Sequence, residues 1–132
     1  MQRQTIQTKN APATGTHLSQ ATIHNGVVYC SGALPIDPVT NELVGGTIGD
    51  RTIRCLKNLE AILIAAGSSL DKVLKVNIFV TNIKDVPAVN EAYTSLFSEP
   101  RPARACVEVS GLAKGTDVEI ECIGFIGEIS KL

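Results

Sequence analysis

Charged and apolar side chains alternate along two stretches near the C-terminal end of the chain, residues 102–109 and 117–122. Because neighbouring side chains of a strand point to opposite faces, this alternation predicts two strands, each with a polar and an apolar face. The intervening loop, residues 110–116, contains two glycines that would let the second strand fold back beside the first. Such a pair would bring the Arg104 guanidinium close to the Glu119 carboxylate.

The first third of the chain predicts three strands. Residues 4–9 alternate weakly and predict an edge strand, and residues 17–23 predict the next one. Asn25 and Gly26 form a pair that is typical of a type I′ hairpin turn, since both tolerate positive φ angles, so a third strand should follow directly. Near the end of that strand lies Gly32, where the missing side chain would let a ligand approach the backbone.

The middle of the chain predicts two helices with a strand between them. Apolar residues recur at helical spacing from Thr47 or Asp50 up to Gly67, which should end the first helix. Alternation returns over residues 74–80 and predicts a strand with an apolar face. A second helix should begin near Asp85 and end before the prolines that follow. The first helix should bury Ile53, Leu56, Leu59, Leu63 and Ala66 and leave Arg51, Arg54, Lys57, Asn58 and Glu60 mostly outside that stripe.

This order of elements predicts an α+β fold with one mixed β-sheet and two helices packed on one face, joined by right-handed crossovers. The opposite face of the sheet, to which we assign Asn77 and Arg104, would stay open unless another subunit covers it. We therefore expect a homo-oligomer. The length of 132 residues predicts one domain per chain, over residues 1–132.

Arg104 and Glu119 form the candidate catalytic pair. A guanidinium is planar and always charged, and it binds a carboxylate through two parallel hydrogen bonds. A glutamate in a partly dry cleft has a raised pKa, so it can transfer protons to and from water or a substrate nitrogen near neutral pH. The alternative is that the two side chains form an ordinary cross-strand pair on the surface.

Composition restricts the partners and cofactors. A net charge of −1, a pI of about 6.1, and the absence of Trp disfavour nucleic acid as a partner, because neither a basic surface nor a stacking platform is indicated. The four cysteines are far apart and lack nearby histidines, which argues against a zinc site and favours reduced thiols. No segment could span a bilayer, and residues 1–9 lack the apolar core of a secretory signal. We expect no metal and a cytoplasmic location, with the mitochondrial matrix as the alternative.

Five motifs together resemble the reactive-intermediate imine and enamine deaminases, called Rid or YjgF proteins and often labelled L-PSP endoribonucleases. The most specific is Pro-Ala-Arg-Ala-Cys-Val-Glu-Val at residues 102–109, followed at the expected spacing by Glu-Ile-Glu at residues 119–121. The resemblance covers nearly the whole chain. The other matching motifs are residues 10–12, 30–35, 75–80 and 89–93.

The resemblance implies a chorismate-mutase-like α+β fold of the bacillus type, and a homotrimer with an active site in each cleft between subunits. It implies that 2-aminoacrylate-type enamines and their imine tautomers are hydrolysed to 2-oxo acids and ammonia without any cofactor. Arg104 would bind the substrate carboxylate, and Glu119 would position or activate the attacking water. The other residues implied to line the pocket are Ser31, Gly32, Asn90 and Cys106.

His17 departs from the family pattern. Where the best-characterised branch has Gly-Pro-Tyr, this chain has Gly15-Thr16-His17. Imidazole can still donate a hydrogen bond, but it differs from a phenol in shape and titrates near neutral pH. We include His17 among the pocket residues and expect it to affect the choice of substrate.

Two other functions stay open at this stage. A ribonuclease or translation inhibitor is suggested only by the family label, and the acidic pI and scarce aromatic residues count against it. A non-catalytic trimer that binds metabolites or acts like a chaperone is suggested by His17 in place of the tyrosine. Binding of a carboxylate without turnover would distinguish that protein from an enzyme.

Overall fold

The computed structural model describes residues 3–127, so the predicted domain of residues 1–132 extends slightly beyond it at both ends. It has six strands and two α-helices. None of the helices in this part is long and apolar enough to cross a membrane. In chain order the elements are β1 (Gln4–Ile6), β2 (Ala21–His24), β3 (Val27–Ala33), α1 (Ile48–Ala65), β4 (Val73–Val80), α2 (Val86–Leu96), β5 (Ala103–Glu108) and β6 (Val118–Phe125).

The six strands form one mixed sheet in the order β1-β2-β3-β6-β4-β5. Only β4 and β5 run parallel, and the other neighbouring strands are antiparallel. Both helices pack on the same face, where their apolar sides meet the buried residues of the central strands. This arrangement confirms the predicted chorismate-mutase-like α+β fold with two helices on one face of a mixed sheet.

The β2–β3 hairpin turns at Asn25 and Gly26, whose φ angles of 50° and 77° confirm the predicted turn. The strand predicted over residues 17–23 is wrong in its first half, because β2 begins only at Ala21. The buried Gln20 side chain explains the difference. Its amide holds the backbone of the preceding loop, accepting a hydrogen bond from the Thr8 N–H and donating to the carbonyls of Thr8 and Pro12.

Helix α1 begins as predicted after Thr47, which forms a capping box with Asp50. The Thr47 hydroxyl accepts from the Asp50 N–H over 3.1 Å, and the Asp50 carboxylate accepts from the Thr47 N–H over 3.0 Å. The prediction that Asn58 lies outside the buried stripe is wrong, since Asn58 is only 1% exposed. Its amide donates to the carbonyls of Leu34 and Ile36, so this helix fixes the loop that follows β3.

The alternation predicted for β4 holds from Val76 onward but fails at its start. Leu74 is 50% exposed, and Val73 is buried in its place. A register shift between Val73 and Lys75 in the pairing with β6 moves the alternation by one residue.

The predicted pairing of the last two strands is wrong, because β4 lies between β5 and β6. Strand β6 buries Val118 and Ile120 completely and therefore takes a central position, whereas β5 has no buried residue and lies at the edge of the sheet. The assignment of Arg104 to the open face is also wrong. Arg104 shares a register position with the buried Val76 and lies on the face that the helices cover.

Arg51 in the first turn of α1 joins this helix to the start of β6. Its Nε and Nη2 atoms donate to the two carboxylate oxygens of Asp117, each over 2.8 Å, and its Nη1 donates to the Gly46 carbonyl. The side chains of Arg51 and Asp117 are 22% and 29% exposed, so water screens the pair only in part. The ion pair anchors the strand that carries Glu119.

We expect Asp117→Asn to lower the free energy of unfolding by about 1–2 kcal/mol at neutral pH. The hydrogen bonds from Arg51 hold the pKa of Asp117 below its ordinary value. A carboxyl group with a lower pKa in the folded state stabilises the protein above the unfolded pKa, and this contribution is lost as the pH falls through the folded pKa. Denaturant unfolding should therefore show a difference between wild type and variant that shrinks below about pH 4. A difference that is independent of pH would contradict this role.

Candidate functional site

A cleft of about 580 Å³ opens beside the end of β3 and the start of β6. Its walls come from the loop before β2, from the end of β3 with the residues after it, and from the loop between β5 and β6. Four of the residues predicted from the sequence lie together in this cleft: His17, Ser31, Gly32 and Glu119.

Ser31 and Gly32 lie where β3 departs from regular pairing. The register with β6 shifts between Cys30 and Ala33, which bulges the strand at these two residues. The Ser31 hydroxyl donates to the Ser19 carbonyl over 2.6 Å, so the loop before β2 is held against β3. The Ser31 oxygen keeps its acceptor capacity for a ligand.

Glu119 lies directly against Gly32. A Cβ atom at position 32 would lie 2.5 Å from Glu119 Oε2 and 2.9 Å from the carboxyl carbon, so only glycine leaves room for this side chain. Burial raises the pKa of Glu119, and the nearby Glu121 raises it further. Glu121 is itself held by the Asn77 amide, which donates to it over 3.1 Å. Glu119 is therefore a carboxyl group that can exchange a proton closer to neutral pH than an exposed glutamate.

His17 lies in the loop before β2 and not on a strand. It borders the cleft and also a second, more open groove of about 500 Å³, which Arg3, Tyr29 and Ser31 line as well. His17 therefore contributes to the walls of both spaces.

The other three predicted residues form a second group at the β5 edge of the sheet. Arg104 Nη2 donates to Asn90 Oδ1 over 2.6 Å, and the guanidinium carbon lies 4.8 Å from the centroid of the Tyr93 ring. Cys106 lies on the same face of β5 as Arg104, and burial raises the pKa of its thiol. The thiol is therefore protonated near neutral pH, which disfavours a role as a nucleophile.

One chain does not bring the two groups together. Arg104 lies on the helix-covered face at the edge of the sheet, whereas Glu119 alternates with the buried Val118 and Ile120 and so lies on the opposite face. Strand β4 separates them. The predicted proximity of Arg104 and Glu119 is therefore wrong within a single chain.

Gln20, Asn58 and Lys114 are cleft-lining residues that were not predicted. Gln20 and Asn58 are polar residues that line the cleft from within the fold, and both hold backbone carbonyls. Lys114 lines it from the loop between β5 and β6. Local patterns do not identify Gln20 or Asn58, because their hydrogen-bond partners lie on other segments, and a lysine in a loop has no pattern that indicates a cleft. Within residues 3–127 no three His, Cys, Asp or Glu side chains lie close enough to hold a metal ion.

Comparison with known proteins gives the same family throughout. The family model described as Endoribonuclease L-PSP matches residues 8–126. A fission-yeast relative, Protein mmf1, mitochondrial, from Schizosaccharomyces pombe, is 46% identical over 108 residues, which cover 80% of this chain and 65% of that protein.

Solved structures agree with these sequence matches. The crystal structure of RidA from the Antarctic bacterium Psychrobacter sp. has a TM-score of 0.89 and 45% identity, and the match covers 93% of this chain and 99% of that one. The structure of TdcF from E. coli with bound serine has a TM-score of 0.89 and 32% identity, over 94% and 99% of the two chains. The chain therefore belongs to the Rid/YjgF family, whose family model is described as Endoribonuclease L-PSP.

Proposed function

We propose that this protein hydrolyses 2-aminoacrylate-type enamines and their imine tautomers to 2-oxo acids and ammonia, using no cofactor. The observation that carries the proposal is the Glu119 carboxyl group, whose pKa is raised, in a cleft shared with Ser31, Gly32 and His17. This group is suited to proton transfer near neutral pH. The structure of the relative TdcF with bound serine supports a small amino-acid-like ligand.

The active unit in this proposal is a homotrimer of single-domain chains. The sheet face opposite the helices presents Tyr29 and Val107, which are 48% and 46% exposed, with the half-buried Phe79 between β5 and β6. A second copy that covers this face would remove apolar surface from water. In the proposed trimer, the group of Arg104, Asn90 and Cys106 at the β5 edge of one chain lies beside the cleft of the next chain, an arrangement that one chain cannot form by itself.

The proposed mechanism divides the work between the two groups. Arg104 of one subunit holds the substrate carboxylate and so orients the reacting carbon in the cleft of its neighbour. The protonated Glu119 gives its proton to the terminal enamine carbon, which leaves an iminium group at the adjacent carbon. Water attacks this carbon, and the Glu119 carboxylate takes a proton from the attacking water. Glu119 then gives that proton to the nitrogen of the carbinolamine, and as the C–N bond breaks and ammonia leaves, the hydroxyl proton passes to the Glu119 carboxylate. This leaves the 2-oxo acid and restores the protonated Glu119.

Competition with semicarbazide tests this function. A dehydratase acting on serine generates 2-aminoacrylate, and semicarbazide traps the imine as a semicarbazone that absorbs light. We expect the purified protein to lower the rate of semicarbazone formation and to raise the yield of pyruvate in proportion to its concentration. An unchanged rate at every protein concentration would overturn the proposal.

Gly32→Ala tests whether the reaction depends on the observed position of the Glu119 carboxyl group, because it displaces this group without removing it. The added methyl group must displace the Glu119 carboxyl group, and we expect kcat/KM to fall about tenfold with little change in melting temperature. Gly111→Ala is the matched control, because a Cβ at Gly111 meets nothing within 4 Å. Wild-type kcat/KM in the Gly32 variant would show that Glu119 need not occupy the observed position.

RNA cleavage is a second candidate, favoured by the description of the family model as an endoribonuclease. The net charge of −1 counts against RNA as a ligand. The acid–base group available in the cleft for this reaction would be Glu119. A cleavage activity on labelled RNA would support this function if it co-purifies with the wild-type protein and is absent from purified Glu119→Gln. Cleavage that persists in the variant would point to a contaminating nuclease.

For location, we propose the cytoplasm. The alternative is the mitochondrial matrix, since the fission-yeast relative is named as a mitochondrial protein. Fractionation of cells that express the tagged protein distinguishes the two compartments.

A further inference from the structure

Lys114 is an exposed cationic residue that lines the cleft, and the proposed reaction does not use it. Among the cleft-lining residues of the described part, Lys114 and Glu119 are the only Lys, Arg, Asp or Glu side chains. A substrate with one carboxylate needs one guanidinium, which Arg104 supplies in the proposed assembly. The cleft therefore contains one positive charge more than a three-carbon enamine acid requires.

The backbone holds Lys114 at a defined place on the wall of the cleft. Its φ and ψ angles are 59° and 14°, in the left-handed region that residues with a Cβ atom seldom adopt. The turn is fixed by hydrogen bonds from the Gly115 N–H to the Leu112 carbonyl and from the Thr116 N–H to the Ala113 carbonyl. Thr116, which follows the turn, is buried. The Lys114 side chain is therefore presented from a shaped turn and not from an extended loop.

No group within residues 3–127 pairs with the Lys114 ammonium. The three ion pairs found there involve other residues, and no side-chain hydrogen bond is formed by Lys114. Glu119 does not serve as its partner, because the pKa of Glu119 is raised, whereas a bound ammonium would lower it. Among the described residues, the ammonium therefore has no partner that would compete with an anionic group of a ligand.

We infer that Lys114 binds a second carboxylate, on the side chain of the substrate, and that the cleft accepts the imines of dicarboxylic amino acids. This inference rests on the proposed deaminase function. Arg104 of the neighbouring subunit holds the carboxylate next to the reacting carbon, and Lys114 binds the distal one from the opposite wall. A lysine suits this task because its long flexible side chain places a point charge on acids of four or five carbons alike. Without Lys114, a distal carboxylate would be repelled by ionised Glu119.

Two imines, each generated in the assay by a different oxidase, test the inference. D-amino acid oxidase acting on D-alanine supplies the imine with one carboxylate, and D-aspartate oxidase acting on D-aspartate supplies the imine with two. Semicarbazide competition then gives kcat/KM for each. We expect Lys114→Asn to lower kcat/KM for the dicarboxylic imine about tenfold, the loss typical of one charged hydrogen bond, and to change the other value less than about twofold. Asparagine is chosen because it tolerates the left-handed backbone.

Two further variants complete the experiment. Lys114→Arg keeps the charge and should retain most of the activity on the dicarboxylic imine. Lys84→Asn removes an exposed lysine outside the cleft and should leave both values unchanged. If wild type acts on neither imine, the proposed deaminase function fails. If wild type acts on the D-alanine imine but Lys114→Asn leaves the ratio of the two values unchanged, only the present inference is overturned. Equal loss of both activities together with a changed oligomeric state would also overturn it, because Lys114 would then contact the neighbouring subunit.

Discussion

Replacement of Arg104 by alanine is expected to lower kcat/KM for 2-aminoacrylate about 100-fold or more, since two charged hydrogen bonds to the substrate carboxylate are lost in a partly dry cleft. The guanidinium is pre-positioned, because Asn90 accepts one of its N–H groups and the Tyr93 ring lies against its face. Little reorganisation is then needed when the substrate binds. The measurement is semicarbazide competition over a range of protein concentrations.

Lysine at the same position should recover only part of the loss, because an ammonium keeps the charge but cannot form the planar two-bond contact. Arg101→Ala is the matched control. Arg101 lies three residues earlier, and its guanidinium pairs with the exposed Glu99 and the Phe97 carbonyl. We expect that variant to keep its kcat/KM. Equal activity of wild type and Arg104→Ala, with melting temperatures that agree, would exclude Arg104 as the carboxylate-binding residue.

Replacement of Glu119 by glutamine is expected to lower kcat about 100-fold. This loss is at the low end of what one acid–base group contributes. Glutamine preserves the shape of the side chain beside Gly32 but can neither give nor accept the proton. Because the carboxylate of the substrate is still bound through Arg104, KM should change much less than kcat. Wild-type kcat in this variant would show that Glu119 does not transfer the proton.

Glu121→Gln is the control for Glu119, and it has a predicted effect of its own. Glu121 is the like charge that adds to burial in raising the pKa of Glu119. Removing that charge should lower the pKa of Glu119, so the limb of the kcat profile that reports Glu119 should move to lower pH. The maximum of kcat should change little. A limb that moves to higher pH, or a loss as large as that in Glu119→Gln, would contradict these separate roles.

Local patterns were sufficient for most of the elements. The Asn25-Gly26 turn, the start of α1 near Thr47 and the alternation of β6 depend on residues that are close along the chain, and all three were predicted correctly. Two of the errors have one cause in common. Asn58 and Leu74 are each placed by a partner that is distant in sequence: the carbonyls after β3 and the shifted pairing with β6.

Some residues of the candidate site could also be predicted from local motifs, and others could not. Ser31, Gly32 and Glu119 were predicted from motifs, and they lie together because β3 and β6 pair side by side. Lys114 was not predicted, since a lysine in a loop has no local pattern that indicates a cleft. Arg104 was placed on the wrong face because alternation assigns residues to two faces without indicating which face the helices cover.

The sequence by itself determined the number and kind of most elements, the family, and which residues are charged or titratable, since propensity, turn geometry and side-chain chemistry are properties of short segments. Only the tertiary structure decided that β4 lies between β5 and β6, and with it that Arg104 and Glu119 lie on opposite faces of one sheet. The physical reason is that strand order follows from which strands bury the most apolar surface. Val118 and Ile120 take β6 to the centre and leave the half-exposed β5 at the edge.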